Sequence, residues 1–323
     1  MIVFRTSVSD EAGYRHLQRC IYLGAALRKD VDILFCVDKD KRTLELLKEK
    51  KFRVCLAGAR ETIEKENPET IVFDVYRFSK FDTELLDWAT ANKRRTVQFA
   101  KWGLDRQAVD VVIDDACSFL MPYADGAPQL GGPEFAVLHH RFRHFNKSRR
   151  KYRSSNRNIL IDLGETLDYR TFRETVDIVS RFVKHVKIVP GYFMKKGNKK
   201  TLKRIYQNVR FAGKTDSFAR AYFEADVVLI PPGLEAYQAA ATGTPALYLP
   251  VDQKQEEFAS ELEKRQLGLN LGVAASLSKK TFKAQLERLS LGTRLEMGAT
   301  GKNLVDGRGA GRIIDFFEKN VII

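Results

Sequence analysis

The sequence predicts an α/β protein built from two Rossmann-like, doubly wound domains. Short apolar runs alternate with helix-forming segments from one end of the chain to the other, the rhythm of parallel sheets covered by helices. At 323 residues the chain is too long for one ordinary core, so two domains of roughly 150 residues are expected. Midway, Phe142–Arg157 carries a run of basic residues with no apolar period, and the rhythm restarts beyond it.

In the first half Ile2–Phe4, Asp32–Val37, Arg53–Cys55, Thr70–Asp74, Thr96–Phe99 and Val109–Ile113 read as strands. Leu17–Leu27, Thr43–Glu49 and Glu84–Ala91 read as helices between them. In the second half the strands are Ile159–Leu163, Val186–Val189, Val209–Phe211, Val227–Ile230 and Ala246–Leu249. Helices fall near Tyr169–Val183, Lys200–Tyr206, Ser217–Phe223, Ala236–Ala241 and Glu256–Arg265, with a last one, Gly311–Lys319, after a glycine-rich turn. The expected division is an N-terminal domain over 1–146, a basic linker over 147–157 and a C-terminal domain over 158–323. Two such domains facing one another would leave a cleft, a preferred place for ligands.

The composition, 44% hydrophobic and 30% charged, is that of a soluble globular protein. Cys20, Cys36, Cys55 and Cys117 lack C-x-x-C spacing, which argues against a zinc site and a disulfide framework and suits a reducing cytoplasm. No apolar stretch approaches the ~18 residues of a bilayer span, and no signal-peptide pattern opens the chain. The expected location is the cytoplasm. The formal charge of +14 is uneven: Lys195, Lys196, Lys199, Lys200, Lys203 and Arg204 crowd an interval without an acidic residue. A solvated basic face is the first reading of that run and peripheral contact with an anionic membrane the second. Nucleic acid comes last, because no RNP, helix-turn-helix or zinc-finger pattern accompanies the charge.

The stretch from Gly13 to Cys20 follows the first strand and opens a helix. It sets His16, Arg15 and Arg19 at the carboxyl end of a parallel sheet, where ligands of open α/β folds bind. Gly13 permits a tight turn, His16 near a helix start can act as a base, and the arginines are candidate anion contacts. The competing reading of His16 is a hydrogen-bonded structural histidine. Asp74 and Tyr76 end a strand; Asp74 can orient an imidazole, contact a sugar or cap the next turn. Ile230-Pro231-Pro232-Gly233-Leu234-Glu235 joins a strand to a helix whose N-terminus could receive a phosphate. Gly164 and Glu165 follow another strand. No Walker A sequence and no G-x-G-x-x-G after a strand occurs, so neither ATP nor NAD is expected as a cofactor, and no metal ligand set is seen.

Together these segments resemble the family of the UDP-sugar hydrolase of pseudaminic acid biosynthesis and the spore-coat polysaccharide biosynthesis proteins. Its members look like the UDP-GlcNAc transferase of peptidoglycan synthesis and share the GT-B fold. The family's opening strand and G-x-G-H-x-x-R-C are matched by Arg5, Gly13, His16, Arg19 and Cys20, with Arg15 in place of the second glycine. Asp74 and Tyr76 match its D-x-Y. Gly132–Phe142 is similar to its G-P-x-Y block, with Phe135 for the tyrosine. Ala225-Asp226 and Gly243-Thr244-Pro245 match later positions, and Val305–Ile313 resembles its D-G-x-G-A-x-R-I signature.

The resemblance implies two Rossmann-like domains in a GT-B arrangement and a nucleotide-sugar substrate, UDP-linked in the family. His16 is the counterpart of the family histidine near the sugar. Asp74 and Tyr76 would assist it, and Gly164, Gly233, Glu235, Gln238 and Gln255 would mark the nucleotide pocket. The departures gather there. Glu165 stands in the loop that approaches the pyrophosphate, where a carboxylate about 5 Å from a phosphate costs about 3 kcal/mol at an effective dielectric of about 20. Gln238 replaces a glutamate, and Phe258 an asparagine. The expected function is a sugar-nucleotide hydrolase of surface-glycan synthesis with His16 as general base. A GT-B glycosyltransferase and a non-catalytic nucleotide-sugar-binding relative are the alternatives.

Overall fold

Apolar runs such as Ile33–Val37 and Thr70–Asp74 are buried along their whole length, because helices cover both faces of the sheet they form. The computed structural model describes residues 1–8, 14–100, 107–114, 130–164, 167–191, 194–213 and 218–320. They divide into two compact units, Met1–Leu138 with Arg308–Ile323, and His139–Gly307.

In the first unit the strands are β1 (Ile2–Thr6), β2 (Ile33–Val37), β3 (Arg53–Leu56), β4 (Thr70–Asp74), β5 (Arg95–Phe99), β6 (Val111–Asp114) and β7 (Leu130–Gly131). They lie parallel in the order β3-β2-β1-β4-β5-β6-β7. Helices α1 (Arg15–Leu27), α2 (Lys41–Glu49), α3 (Arg60–Glu66) and α4 (Lys80–Ala91) connect the early strands. Ile2 and Phe4 pack on one face with Leu17, Ile21 and Leu47; Val3 packs on the other with Ile63, Leu85 and Ala89.

The second unit contains α5 (His140–Lys147), β8 (Asn158–Ile161), α6 (Tyr169–Ser180), β9 (His185–Ile188), α7 (Lys196–Ile205), β10 (Val209–Phe211), α8 (Phe218–Glu224), β11 (Val227–Ile230), α9 (Leu234–Thr242), β12 (Ala246–Tyr248), α10 (Gln253–Lys264), β13 (Leu269–Asn270), α11 (Lys279–Arg288) and α12 (Leu291–Leu304). Its sheet is parallel in the order β10-β9-β8-β11-β12-β13. Each sheet reverses its direction of winding once, between β1 and β4 and between β8 and β11. These are the topological switch points at which such sheets open a crevice.

The boundaries differ from those expected. The last helix, α13 (Gly309–Lys319), belongs to the first unit: Ile313 and Phe317 enter its core, and Arg312 Nη1 donates to Glu134 O at 3.0 Å. The signature around Gly307 and Gly309 makes this possible. Gly307 has φ +74° and lies against the Arg143 backbone, and a Cβ on Gly309 would collide with the backbone at Ala136.

The basic stretch 147–157 is also not a free linker. Its cations donate to carbonyls and carboxylates of the second unit. Arg150 reaches Phe223 O, Ala225 O and Thr244 Oγ1; Arg153 reaches Asp226 at 2.7 Å; the Tyr152 hydroxyl reaches Gly243 O at 2.8 Å. Just before it, α5 forms over part of the segment read as irregular, anchored by Phe142 against Tyr222.

In α12, Gly301 lets the helix approach α9: a Cβ there would stand 2.8 Å from Ala240 Cα. Gly301→Ala is therefore expected to destabilise the protein by about 1–3 kcal/mol through overpacking, despite alanine's better helix propensity. A lower urea midpoint with an unchanged slope is the readout.

Candidate functional site

Helical spacing assembles the first cluster. His16, Arg19 and Cys20 stand at i, i+3 and i+4 in the first turns of α1, so they share one face. That face turns to the carboxyl end of β4, at the β1/β4 switch point, and all three side chains meet Asp74. His16 Nδ1 lies 2.5 Å from Oδ1. Arg19 grips the carboxylate with two donors, Nε to Oδ2 at 2.8 Å and Nη2 to Oδ1 at 2.7 Å. The Cys20 thiol donates to Oδ2 at 3.5 Å. Asp74 is wholly buried and His16 is 6% exposed.

Burial pushes the Asp74 carboxyl up, but Arg19 and His16 outweigh it and hold the group down at about 2. Asp74 is thus a carboxylate at neutral pH. An ionised acceptor at Nδ1 fixes the neutral imidazole with its proton on that nitrogen, which leaves the Nε2 lone pair as the proton acceptor. No other side-chain hydrogen bond of His16 forms among the described residues.

The sequence offers Arg19 as an anion contact, and the anion it holds is Asp74. Its guanidinium also lies over Phe99, 4.3 Å from the ring centroid. A second buried ion pair braces the strand beside it. Arg5 Nε donates to Asp82 at 2.5 Å and Nη1 to Thr6 O at 2.8 Å, and Thr6 is the register partner of Asp74. Asp82 in turn closes a capping box with Ser79 at the start of α4. The sequence reading matched Cys20 to the family motif without giving it a role, and missed Phe99. The helical spacing of H-x-x-R-C was the available signal for the cysteine, while nothing local marks Phe99.

Of the other expected residues, Gly13 lies outside the described residues. Arg15 is the first residue of α1 and half-buried. Tyr76 lies two residues beyond β4, half-buried, with the Arg77 guanidinium carbon 5.6 Å from its ring centroid.

The second unit gathers its expected residues around the β8/β11 switch point. Gly164 follows β8 in the left-handed conformation, φ +56°; Glu165 lies outside the described residues. Gly233 is the N-cap position of α9 and supplies no side-chain cap, so the helix start presents backbone donors suited to an anion. Glu235 and Gln238 are buried in α9. Asp162, also buried, accepts from the Tyr222 hydroxyl at 2.7 Å. Gln255 does not join this group through its amide oxygen, which accepts from Val251 N at 3.2 Å at the entry to α10. Among the described residues no group of three or more His, Cys, Asp or Glu could hold a metal ion. No described helix is long and apolar enough to cross a membrane.

No family model matches the chain. The spore coat polysaccharide biosynthesis protein SpsG of Bacillus subtilis is 24% identical over 204 residues, 59% of this chain and 59% of that protein. The alignment therefore spans less than two thirds of that relative. Among solved structures, MurG of Acinetobacter baumannii matches with a TM-score of 0.69 at 12% identity, over 98% of this chain and 99% of that one. The spinosyn rhamnosyltransferase SpnG matches at 0.66 and 14% identity, over 99% and 100%. The UDP-GlcNAc 2-epimerase of Neisseria meningitidis bound to UDP-GlcNAc matches at 0.58 and 12% identity, over 99% and 100%. The fold is GT-B. The likeness to a spore-coat polysaccharide biosynthesis protein, expected from the motifs, is found in the sequence comparison, and MurG is found among the solved structures.

Two predictions follow from the Asp74 cluster. Its carboxyl sits below its ordinary 3.8, so the stability it confers is complete above that pH and is lost as pH falls through about 2. Unfolding measured between about pH 5 and pH 2 should reveal about 2 kcal/mol of acid-sensitive stability that Asp74→Asn lacks. Arg19→Ala leaves a buried carboxylate short of its bidentate partner and should cost about 3–5 kcal/mol at neutral pH, read from the denaturant midpoint.

Proposed function

We propose that the chain turns over a nucleoside-diphosphate sugar, with His16 as the base that activates an oxygen nucleophile toward the anomeric carbon. The observation that carries this reading is the 2.5 Å contact between His16 Nδ1 and a buried, Arg19-clamped Asp74 at a switch point of the sheet. Asp74 orients the ring and holds its Nδ1 proton while Nε2 takes a proton. Arg19 keeps Asp74 ionised and is a positioning residue, not a contact of the substrate. The substrate class is supported by relatives: SpsG is named for spore coat polysaccharide biosynthesis, and structures of the same fold hold UDP-GlcNAc, UDP or thymidine diphosphate. We infer a role in the synthesis of a surface glycan.

With water as nucleophile the reaction is hydrolysis. The anomeric C–O bond to the diphosphate breaks, the water oxygen bonds to the sugar, and its proton passes to His16. In the second unit the α9 N-terminus is the expected seat of the diphosphate. Glu235 in its first turn and the nearby Asp162 oppose a phosphate there, so modest affinity and a cation dependence are expected of the nucleotide. A transferase reading, in which a sugar or lipid-linked hydroxyl replaces water, draws support from α7. This helix displays Lys196, Lys199, Lys200, Lys203 and Arg204, buries only Leu202, and would suit an anionic membrane surface.

The test is release of nucleoside diphosphate from a panel of UDP- and dTDP-sugars, with and without added acceptor. Wild type should release free sugar without acceptor. His16→Ala and Asp74→Asn should lose on the order of 10²–10⁴ in kcat while remaining folded by circular dichroism. Acceptor-dependent release would favour the transferase. Wild-type rates in His16→Ala would overturn the assignment of the base.

A further inference from the structure

Strand register sets two thiols side by side at the rim of the first sheet. Cys36 of β2 is the register partner of Cys55 of β3, and Arg5 of β1 is the register partner of Cys36 on the other side. Register partners on parallel strands project to the same face and lie about 4.8 Å apart. Both cysteines accordingly belong to one apolar cluster with Val3, Ile71 and Phe73. A disulfide accepts Cα separations of about 4.4–6.8 Å, and a small approach of the two Cβ atoms brings the pair within bridging range. Each thiol perturbs the other's ionisation.

The pair is asymmetric. β3 is the edge strand and Cys55 is half-buried, whereas Cys36 is fully enclosed. The adjacent Cys36 thiol lowers the Cys55 thiol against the opposing effect of burial, and Arg5 adds to the lowering. Cys55 and burial push Cys36 up. A half-exposed thiol whose ionisation is favoured by its neighbour, beside a protected partner, is the arrangement of an attacking and a resolving cysteine.

We propose that Cys36 and Cys55 form a redox-active dithiol that low-molecular-weight disulfides convert to an intramolecular disulfide. The Cys55 thiolate attacks one sulfur of the oxidant RSSR, whose S–S bond breaks, and the departing RS⁻ takes up the proton that Cys55 gave up. Cys36 then attacks the Cys55 sulfur of the mixed disulfide, and the second RS⁻ leaves with the proton from Cys36. The protein loses two electrons and two protons, and one RSSR becomes two RSH. The product staples the edge strand β3 to β2 across the segment containing α2. The site is independent of the proposed activity, because neither sulfur touches Asp74, His16 or Arg19 in any described contact.

The experiment treats the folded full-length chain with glutathione disulfide, quenches with acid and maps the peptides by mass spectrometry. The expected result is a Cys36–Cys55 cross-link with loss of two hydrogens, reversed by dithiothreitol. Cys36→Ser should stop at a stable glutathione adduct on Cys55, and Cys55→Ser should leave Cys36 unmodified. A wild-type chain that accumulates the Cys55 adduct without resolving it overturns the proposal. So does a chain that forms the cross-link only after unfolding in denaturant, or one whose Cys55 resists the reagent. The wild-type measurement decides the matter even if a serine variant fails to fold.

Discussion

A carboxylate with no access to water is costly unless opposite charge and hydrogen bonds surround it, and Asp74 is such a group. Its partners come from a single helix. One residue of α1 clamps it with two donors, another offers an imidazole nitrogen, and a third a thiol. The requirement to satisfy Asp74 therefore fixes the rotation of α1 about its axis and its height above the end of β4. It also fixes where His16 stands and which of its nitrogens can work. Electrostatic need and chemical competence are here the same geometric constraint.

Much of this could be read in advance, for reasons that differ from element to element. The strands were legible because parallel strands buried on both faces are uninterrupted apolar runs, as at Thr70–Asp74 and Val227–Ile230. His16 and Asp74 stood out because one opens a helix and the other ends a strand, each in a matching motif. The partnership of Arg19 with Asp74 was not, since the two are 55 residues apart and an arginine at a sheet mouth is equally suited to a phosphate. Helix α5 was hidden because Phe142 is its one buried residue, so no apolar period shows. Helix α12 was hidden by Gly292, Gly298 and Gly301, residues of poor helix propensity. Of these, Gly298 and Gly301 are there because Tyr152 and α9 come too close for a side chain.

Motifs that look functional in a string of letters divide in space. Those at the β1/β4 switch point gather an imidazole, a guanidinium and a thiol around Asp74. The glycines of the Val305–Ile313 signature instead let the backbone pass against Arg143 and Ala136 as the chain leaves one unit for the other. The basic stretch after α5 is likewise architectural, its guanidinium groups satisfying the carbonyls at the end of α8 and the Tyr152 hydroxyl that of Gly243 after α9. Around the second switch point two carboxylates, Asp162 and Glu235, are buried.

The return of α13 to the first unit has a consequence for biosynthesis. The unit that is begun first at the ribosome is finished last, for Ile313 and Phe317 complete its core only after the whole of the second unit has been made. The second unit is continuous and can fold as it emerges. The nascent first sheet must meanwhile wait with one flank of its apolar surface uncovered, a window in which chaperones would have most to do.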